Sequence, residues 1–450
     1  MADGFKYEFI VKPIDLATGT LVCVLHEDDA RKLGILPIDR IELFNPRNKK
    51  RVVCIADITN TIVKKGEVGL FKEVKKELAV AANTKIFARV VQRPESIEFI
   101  RKKLQGLSLD RHEIYDIVRD INNNKLSSVE IAFFMAGVYV HGYSLDETIS
   151  MTKALVDNGR KLKINREPLV DKHCIGGTNG RTTMIVVPII AAANLYIPKT
   201  SSRAITSAAG TADAMEVIAK VNLSARQIKK ITETIGGVIA WGGALDLAPV
   251  DDKIIQIEHP LSLDPDGQII ASVMAKKASV GSKHVVIDLP VGPDVKIKTE
   301  ERARRMAKLF LKVGKALEMD VDALITDGTK PYGRGFGPAL EAREALEILE
   351  GKRFDDLAKK SCELAGILFE SVGYARRRQG FKLAKEILQS GEALEKMKEI
   401  INAQGKRYEC SERIPKAKFS TNILATASGK IASINIKNCI RLARLAGAPG

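Results

Sequence analysis

From residue 170 onward, short apolar runs alternate with amphipathic stretches, and this alternation constrains the fold more than any other feature. Runs at 238–241, 285–289 and 323–325 are too short for helices, whereas 225–235, 300–317 and 338–349 carry apolar residues at helical spacing. Strand-length runs separated by helix-length ones are the pattern of a parallel sheet with crossover helices. The alternation opens on the junction Val170-Asp171-Lys172-His173-Cys174-Ile175-Gly176-Gly177-Thr178-Asn179-Gly180-Arg181-Thr182-Thr183, which runs straight into the apolar segment 184–195. A second small-residue loop follows, Lys199-Thr200-Ser201-Ser202-Arg203-Ala204-Ile205-Thr206-Ser207-Ala208-Ala209-Gly210-Thr211. Both loops are rich in Gly, Ser and Thr, carry a cation and lead into helix-like sequence. Amides at the start of a helix, with hydroxyls and a lysine, make an oxyanion site. Two such loops point to substrates bearing more than one phosphate.

The flanking sequence is of other kinds. Residues 1–85 carry short alternating runs at 6–11, 19–25, 40–43, 51–56 and 85–91, with one helix over 27–33, which predicts a compact β-barrel-like domain. That domain holds no catalytic constellation, and its expected role is oligomerisation. Arg93-Pro94-Glu95 opens a helical domain over 92–165, with capping boxes at Asp110/Glu113, Ser127/Glu130 and Ser144/Glu147. The span 251–278 interrupts the later alternation, and the stretch 250–280 is expected to pack with the helical domain. An α/β phosphate-binding domain is expected over 166–345. A C-terminal α+β region over 346–450 is expected to add helices and then short strands in 417–434. The final Gly447-Ala448-Pro449-Gly450 reads as mid-loop. The expected fold class is therefore α/β and multidomain.

Composition narrows the function classes. No apolar run reaches the length of a membrane span, and Met1-Ala2-Asp3-Gly4-Phe5-Lys6 has no signal core, so the expectation is a cytoplasmic chain without membrane contact. The six cysteines are scattered without a Cys-x-x-Cys pair, which excludes the usual zinc spacings and predicts reduced thiols. No metal and no cofactor are expected. The net charge of +16 fits nucleic-acid binding, attraction of anionic substrates, or the Lys/Glu surface of a heat-stable protein. Acidic residues interleave with the basic ones and aromatics make up only 5% of the chain, which disfavours a nucleic-acid partner.

Several residues together resemble a known family. Lys172-His173-Cys174-x-Gly176-Gly177, Ser201-x-Arg203, Gly210-Thr211-x-Asp213-x-x-Glu216, Leu247-Ala248-Pro249-x-Asp251 and Ala271-Ser272-x-x-x-Lys276-Lys277 resemble, in that order, the thymidine and pyrimidine nucleoside phosphorylases. The resemblance covers about residues 92–450. The N-terminal piece resembles that of the archaeal branch, whose substrates are nucleoside monophosphates, and looks like a double-psi-type barrel. The family fold pairs a small α domain with a larger α/β domain across a cleft.

The resemblance implies AMP and inorganic phosphate as partners and a homodimer or larger homo-oligomer built through the N-terminal domain. It implies that Lys172, Thr183, Ser201 and Thr211 contact phosphate. It implies that Gly176, Ser202, Arg203, Ala204, Ile205, Thr206, Ser207, Thr211, Ser272 and Lys296 contact AMP, with Asp264 as the general acid. Two departures favour a nucleotide over a nucleoside: added hydroxyls in 204–209, and no arginine near Glu258-His259, where nucleoside-specific members read the pyrimidine. Cys174 stands where nucleoside members carry serine, and a thiol is a poor donor.

Read alone, Leu263-Asp264-Pro265-Asp266-Gly267 is a turn. Ser272 and Lys276 read as a buried hydroxyl and a surface amine, Lys296 as a solvated strand residue, and Arg203 equally as a structural clamp. His173 reads as an orienting or packed residue. A pyrimidine nucleoside phosphorylase and an anthranilate-type phosphoribosyltransferase remain as rival readings.

Overall fold

In the computed structural model, described over residues 7–91, 93–204, 207–245 and 247–449, the chain forms two compact units, Met1–Val140 and His141–Gly450. The first unit begins with β1 (Tyr7–Pro13), β2 (Val22–His26), α1 (Glu27–Leu33), β3 (Arg40–Phe44), β4 (Arg51–Thr59), β5 (Glu67–Leu70), α2 (Lys72–Leu78) and β6 (Lys85–Val90). Six strands close into a barrel in the order β1-β5-β2-β4-β3-β6. Alternation along each strand sends Ile41 and Leu43, Ile86 and Ala88, and Val68 and Leu70 into a core shared with Cys23, Leu25 and Cys54.

The five expected strands and the helix at 27–33 are present, and β5 and α2 are additional. Gly69 lies in β5 because a Cβ there would come 2.7 Å from Ile14 Cδ1, and the missing side chain hid the strand pattern. Helices α3 (Ser96–Leu104), α4 (Arg111–Asn122) and α5 (Ser128–His141) follow. The Asp110/Glu113 box caps α4, and Ser127 and Glu130 exchange the same bonds ahead of α5. An ion pair of 2.9 Å between Arg40 and Glu130 ties β3 to α5.

The second unit starts with α6 (Leu145–Asp157), capped by the Ser144/Glu147 box. It continues through β7 (Val170–Cys174), α7 (Thr183–Ala192), β8 (Ile197–Ser201), α8 (Thr211–Ile218), α9 (Ala225–Ile235), β9 (Gly237–Trp241), α10 (Pro249–Glu258), α11 (Asp266–Ser279), β10 (His284–Val291), α12 (Glu300–Ala316) and β11 (Asp320–Asp327). It ends with α13 (Pro338–Leu349), α14 (Asp356–Ser371), α15 (Gly380–Gln389), α16 (Glu392–Ala403) and α17 (Ile436–Leu445).

Every strand pairing in this unit is parallel: β7 and β11 flank β10, β8 pairs with β9, and a bridge from Leu169 to Tyr196 joins the two groups. Helix α7 is apolar on all faces, and its residues Met184 to Ile190 are fully buried among α8, α13, α14 and α16. Helix α11 packs on α6 and α12.

One expectation fails in the tail. Among the described residues no strand follows β11, and the region 346–449 is helical with an extended stretch ahead of α17. Residues 417–434 have no strand to pair with, and Phe419, Ile423, Leu424 and Ile431 are each more than four-fifths exposed. A single alternating segment without a hydrogen-bonding neighbour does not make a strand.

Candidate active site

The parallel sheet places its loops so that both small-residue turns meet. Strand β7 ends at Cys174, and Gly176 and Gly177 follow with φ of +80° and +71°. Two successive left-handed residues turn the chain sharply after the strand, a conformation that glycine adopts without strain. A Cβ on Gly176 would stand 2.9 Å from Lys296 Cγ, so the Lys296 stem crosses directly over this turn. The Lys296 ammonium in turn donates to Asp264 Oδ1. Arg302 fixes that contact, donating to the carbonyl oxygens of Asp264 and Lys296 (3.0 Å each) and to Asp266 Oδ1 (2.8 Å). The Asp264 turn, unremarkable in the sequence, is thus pinned beside the glycine turn.

The second loop is shaped by one carboxylate. Asp213, in the first turn of α8, accepts from the amides of Ala204 (2.6 Å) and Gly210 (2.9 Å), drawing the two ends of the loop together. A Cβ on Gly210 would fall 2.5 Å from both the carbonyl carbon of Arg203 and the carbonyl oxygen of Ser202, so no other residue fits there. Thr211 Oγ1 donates to the Gly180 carbonyl at 3.1 Å and locks this loop to the first.

Arg203 is a clamp. Its guanidinium reaches Glu216 Oε1 and Asp213 Oδ1 at 3.0 Å each and lies 4.9 Å over the Trp241 ring. Ser201 closes β8 half-buried, Ser202 is exposed, and Ser207 donates to the Ala209 carbonyl at 2.9 Å. Ile205 and Thr206 lie outside the described residues.

Beneath the loops sits a buried charge cluster. Lys172, Lys199, Lys277 and Lys360 are buried together with the buried aspartates Asp171 and Asp288. Asp171 accepts from Lys277 at 2.7 Å and stands 3.5 Å from Lys199. Asp288 pairs with Lys360 at 3.1 Å and accepts from Thr326 Oγ1 at 2.7 Å. Burial pushes the Lys172 and Lys199 ammonium groups below their usual range, against the pull of the nearby carboxylates. Burial and the surrounding lysines Lys277, Lys199, Lys276 and Lys172 hold His173 well below its ordinary value, so the ring is neutral.

Thr183 is buried at the start of α7. Burial and Asp288 push the Cys174 thiol up, and it donates to the Gly176 carbonyl at 2.9 Å. Arg181 is spent on Glu341 (3.2 Å), Glu344 (3.4 Å) and the Phe336 ring face.

A third group lies on α10 and α11. Asp251 is fully buried and accepts from Ser272 Oγ and Lys276 Nζ, each at 2.7 Å. Glu258, at the end of α10, is buried as well. Burial, then Asp251 and Asp264, push its carboxyl up to about 8, with Lys296 pulling the other way. The sequence held no signal for Glu258, because its burial and the facing of Asp251, Asp264 and Lys296 arise only once the chain has folded. Among the described residues no group of three or more His, Cys, Asp or Glu side chains is placed to hold a metal ion. None of the described helices is long and apolar enough to cross a membrane.

Comparison with known proteins fits this geometry. The glycosyl transferase family models match at residues 97–159 (helical bundle domain) and 166–394 (a/b domain). AMP phosphorylase 1 of Archaeoglobus fulgidus is 45% identical over 439 residues, which span 97% of this chain and 86% of that protein. The chain belongs to the AMP phosphorylase family. The AMP phosphorylase of Thermococcus sibiricus is 43% identical over 442 residues (98% of this chain, 87% of that protein), and that of Methanococcoides burtonii is 42% identical over the same number. A solved structure of anthranilate phosphoribosyltransferase from Thermus thermophilus superposes with a TM-score of 0.59 at 19% identity, covering 68% of this chain and 98% of that one. That likeness shows that this chain and the transferase share a fold. It carries the fold alone.

Proposed function

We infer that the chain catalyses reversible phosphorolysis of AMP, giving adenine and ribose 1,5-bisphosphate, with CMP and UMP as further substrates. The observation that carries this reading is the contact series Gly176–Lys296–Asp264 beside the Thr211–Gly180 lock. It sets an anion seat, a cation and a carboxyl group within one side chain's reach of each other.

In this reading, inorganic phosphate lies over the Gly176-Gly177 turn, above the Lys172 cluster and near Thr183, Ser201 and Thr211. The loop 202–207 with Thr211 takes the 5′-phosphate, and Ser272 and Lys296 line the nucleoside. Arg203 serves by holding the loop closed through Asp213 and Glu216. Phosphate attacks C1′ as the base departs, and Asp264 supplies the departing base with a proton. Holding both reactants in line converts a bimolecular reaction into a positioned one. The proton removes the need to expel an anionic purine.

Product analysis after incubation with AMP and phosphate tests this. We expect adenine and ribose 1,5-bisphosphate, and kcat/KM for AMP about 100-fold above that for adenosine. That ratio corresponds to roughly 2.7 kcal/mol, one or two charge-assisted hydrogen bonds to the 5′-phosphate. Turnover of adenosine or uridine with AMP left intact would sink the reading in favour of a nucleoside phosphorylase.

We further propose that the protein is cytoplasmic and self-associates through the barrel of residues 1–85, ahead of a helical domain over 92–165. The placement rests on six free cysteines. Deleting residues 1–85 is expected to lower the subunit count measured by light scattering. An unchanged count would refute the oligomerisation role.

A further inference from the structure

Asp264 Oδ1 accepts a hydrogen bond from the Lys296 ammonium, so the oxygen that would carry an acid's proton is taken up by Lys296. A general acid must carry a proton. The reading of Asp264 as the donor, on which this inference rests, therefore needs a source for that proton close by. The end of α10 supplies one: Glu258 precedes Asp264 by six residues, and the 3-10 turn His259–Leu261 folds the chain back so that the Leu263 amide donates to the Glu258 carbonyl at 3.1 Å. The Glu258 side chain is buried, and among the described residues its Oε1 has no hydrogen-bond partner. An ionised carboxylate is strongly disfavoured there, whereas a neutral carboxylic acid is tolerated.

We propose that Glu258 is a positioning residue for the leaving-base step: it stores, beside the Asp264–Lys296 pair, the proton that Asp264 lacks while bound to Lys296. Two carboxyl groups, one lysine and one proton then share the site. In the resting arrangement the O–H bond is on Glu258 and the ammonium is on Asp264. In the reactive arrangement that O–H bond breaks, a new one forms on Asp264, and Lys296 moves its ammonium toward the Glu258 carboxylate. Net charge is unchanged.

Asp264 then gives the proton to the base nitrogen as the C1′–N bond breaks and the C1′–O bond to phosphate forms. The ester formed from HPO4²⁻ releases one proton, which restores Glu258. No other reactant is required.

The groups facing Glu258 agree with this. Asp251 and Asp264 press against its ionisation from α10 and the following turn, while Lys296 opposes them from the far side. Tyr143, ahead of α6, faces Glu258 and Glu147 and is itself pushed well above its usual range by burial and both carboxylates. Lys276 is occupied by Asp251 at 2.7 Å. Burial first, then the two aspartates, move the Glu258 proton's release to about pH 8, so the store is full at neutral pH and empties as pH rises.

The test compares wild type with Glu258→Gln on AMP and on N7-methylated AMP, whose base departs without taking up a proton. Gln keeps the shape but cannot release or hand over a proton. With AMP we expect kcat to fall at least about tenfold, the KM for AMP to stay within about twofold, and the alkaline limb of kcat to disappear. With the methylated substrate both proteins are expected to turn over within about twofold of each other. Wild-type kcat on AMP in the variant overturns the proposal, as does an equal loss on both substrates.

Should Glu258→Gln fail to fold, wild type alone decides: an alkaline limb near pH 8 with AMP and none with the methylated substrate supports the proposal, and the same limb with both overturns it. A wild-type protein that leaves AMP intact fails the activity reading itself, a result separable from loss in the variant alone.

Discussion

Replacing Asp264 by Asn is expected to lower kcat for AMP phosphorolysis by about 10² to 10⁴, the usual range for removing a positioned general acid. The amide keeps the size of the carboxyl group and can still meet Lys296, so the turn pinned by Arg302 stays in place. What it cannot do is release a proton to a departing purine. KM for phosphate is expected to stay near its wild-type value, because the phosphate contacts proposed at the Gly176-Gly177 turn and the Lys172 cluster are untouched. Steady-state kinetics at saturating phosphate measure this. A variant within threefold of wild-type kcat would remove Asp264 from the donor role.

The second large effect is on stability. Asp171→Ala strips the buried Lys277 and Lys199 of the carboxylate at 2.7 and 3.5 Å and frees the Lys172 amide that donates to Asp171 Oδ1. Removing one partner from a buried ion pair costs about 3–5 kcal/mol, because the orphaned charge stays behind. Part of that cost is offset where Lys199, already pushed well below its ordinary range by burial, gives up its proton. Calorimetry is expected to show a melting temperature lower by about 3–8 °C. High phosphate should restore some of it by binding among the same lysines. A shift under 2 °C would mean that Asp171 carries little of the cluster's balance.

How far the fold was legible follows from which signals are local. Capping boxes are local, and those at Asp110, Ser127 and Ser144 form as the spacing predicts. Amphipathic spacing is nearly local, and α9, α12 and α13 fall at or within one residue of their expected bounds. Strand β5 was hidden because it is four residues long, carries a glycine and is buried on both faces, leaving no alternation to read. Helix α2 offers only Val74 and Leu78 as its apolar pair among charged neighbours. The tail shows the converse: 417–434 has the alternation of strands without a partner strand.

At the site, the glycine and hydroxyl loops announced themselves through composition. Whether Arg203 clamps or binds could not be decided without Glu216 and Trp241, thirteen and thirty-eight residues away. Glu258 had no sequence signal, since a glutamate becomes unusual only through what surrounds it.

The loop drawn together by Asp213 has one more consequence. With the Ala204 and Gly210 amides already satisfied inside the protein, the loop pays its ordering entropy during folding and not when a ligand arrives. If the loop takes the 5′-phosphate as proposed, the amides of Ala204 and Gly210 are already ordered before that phosphate arrives.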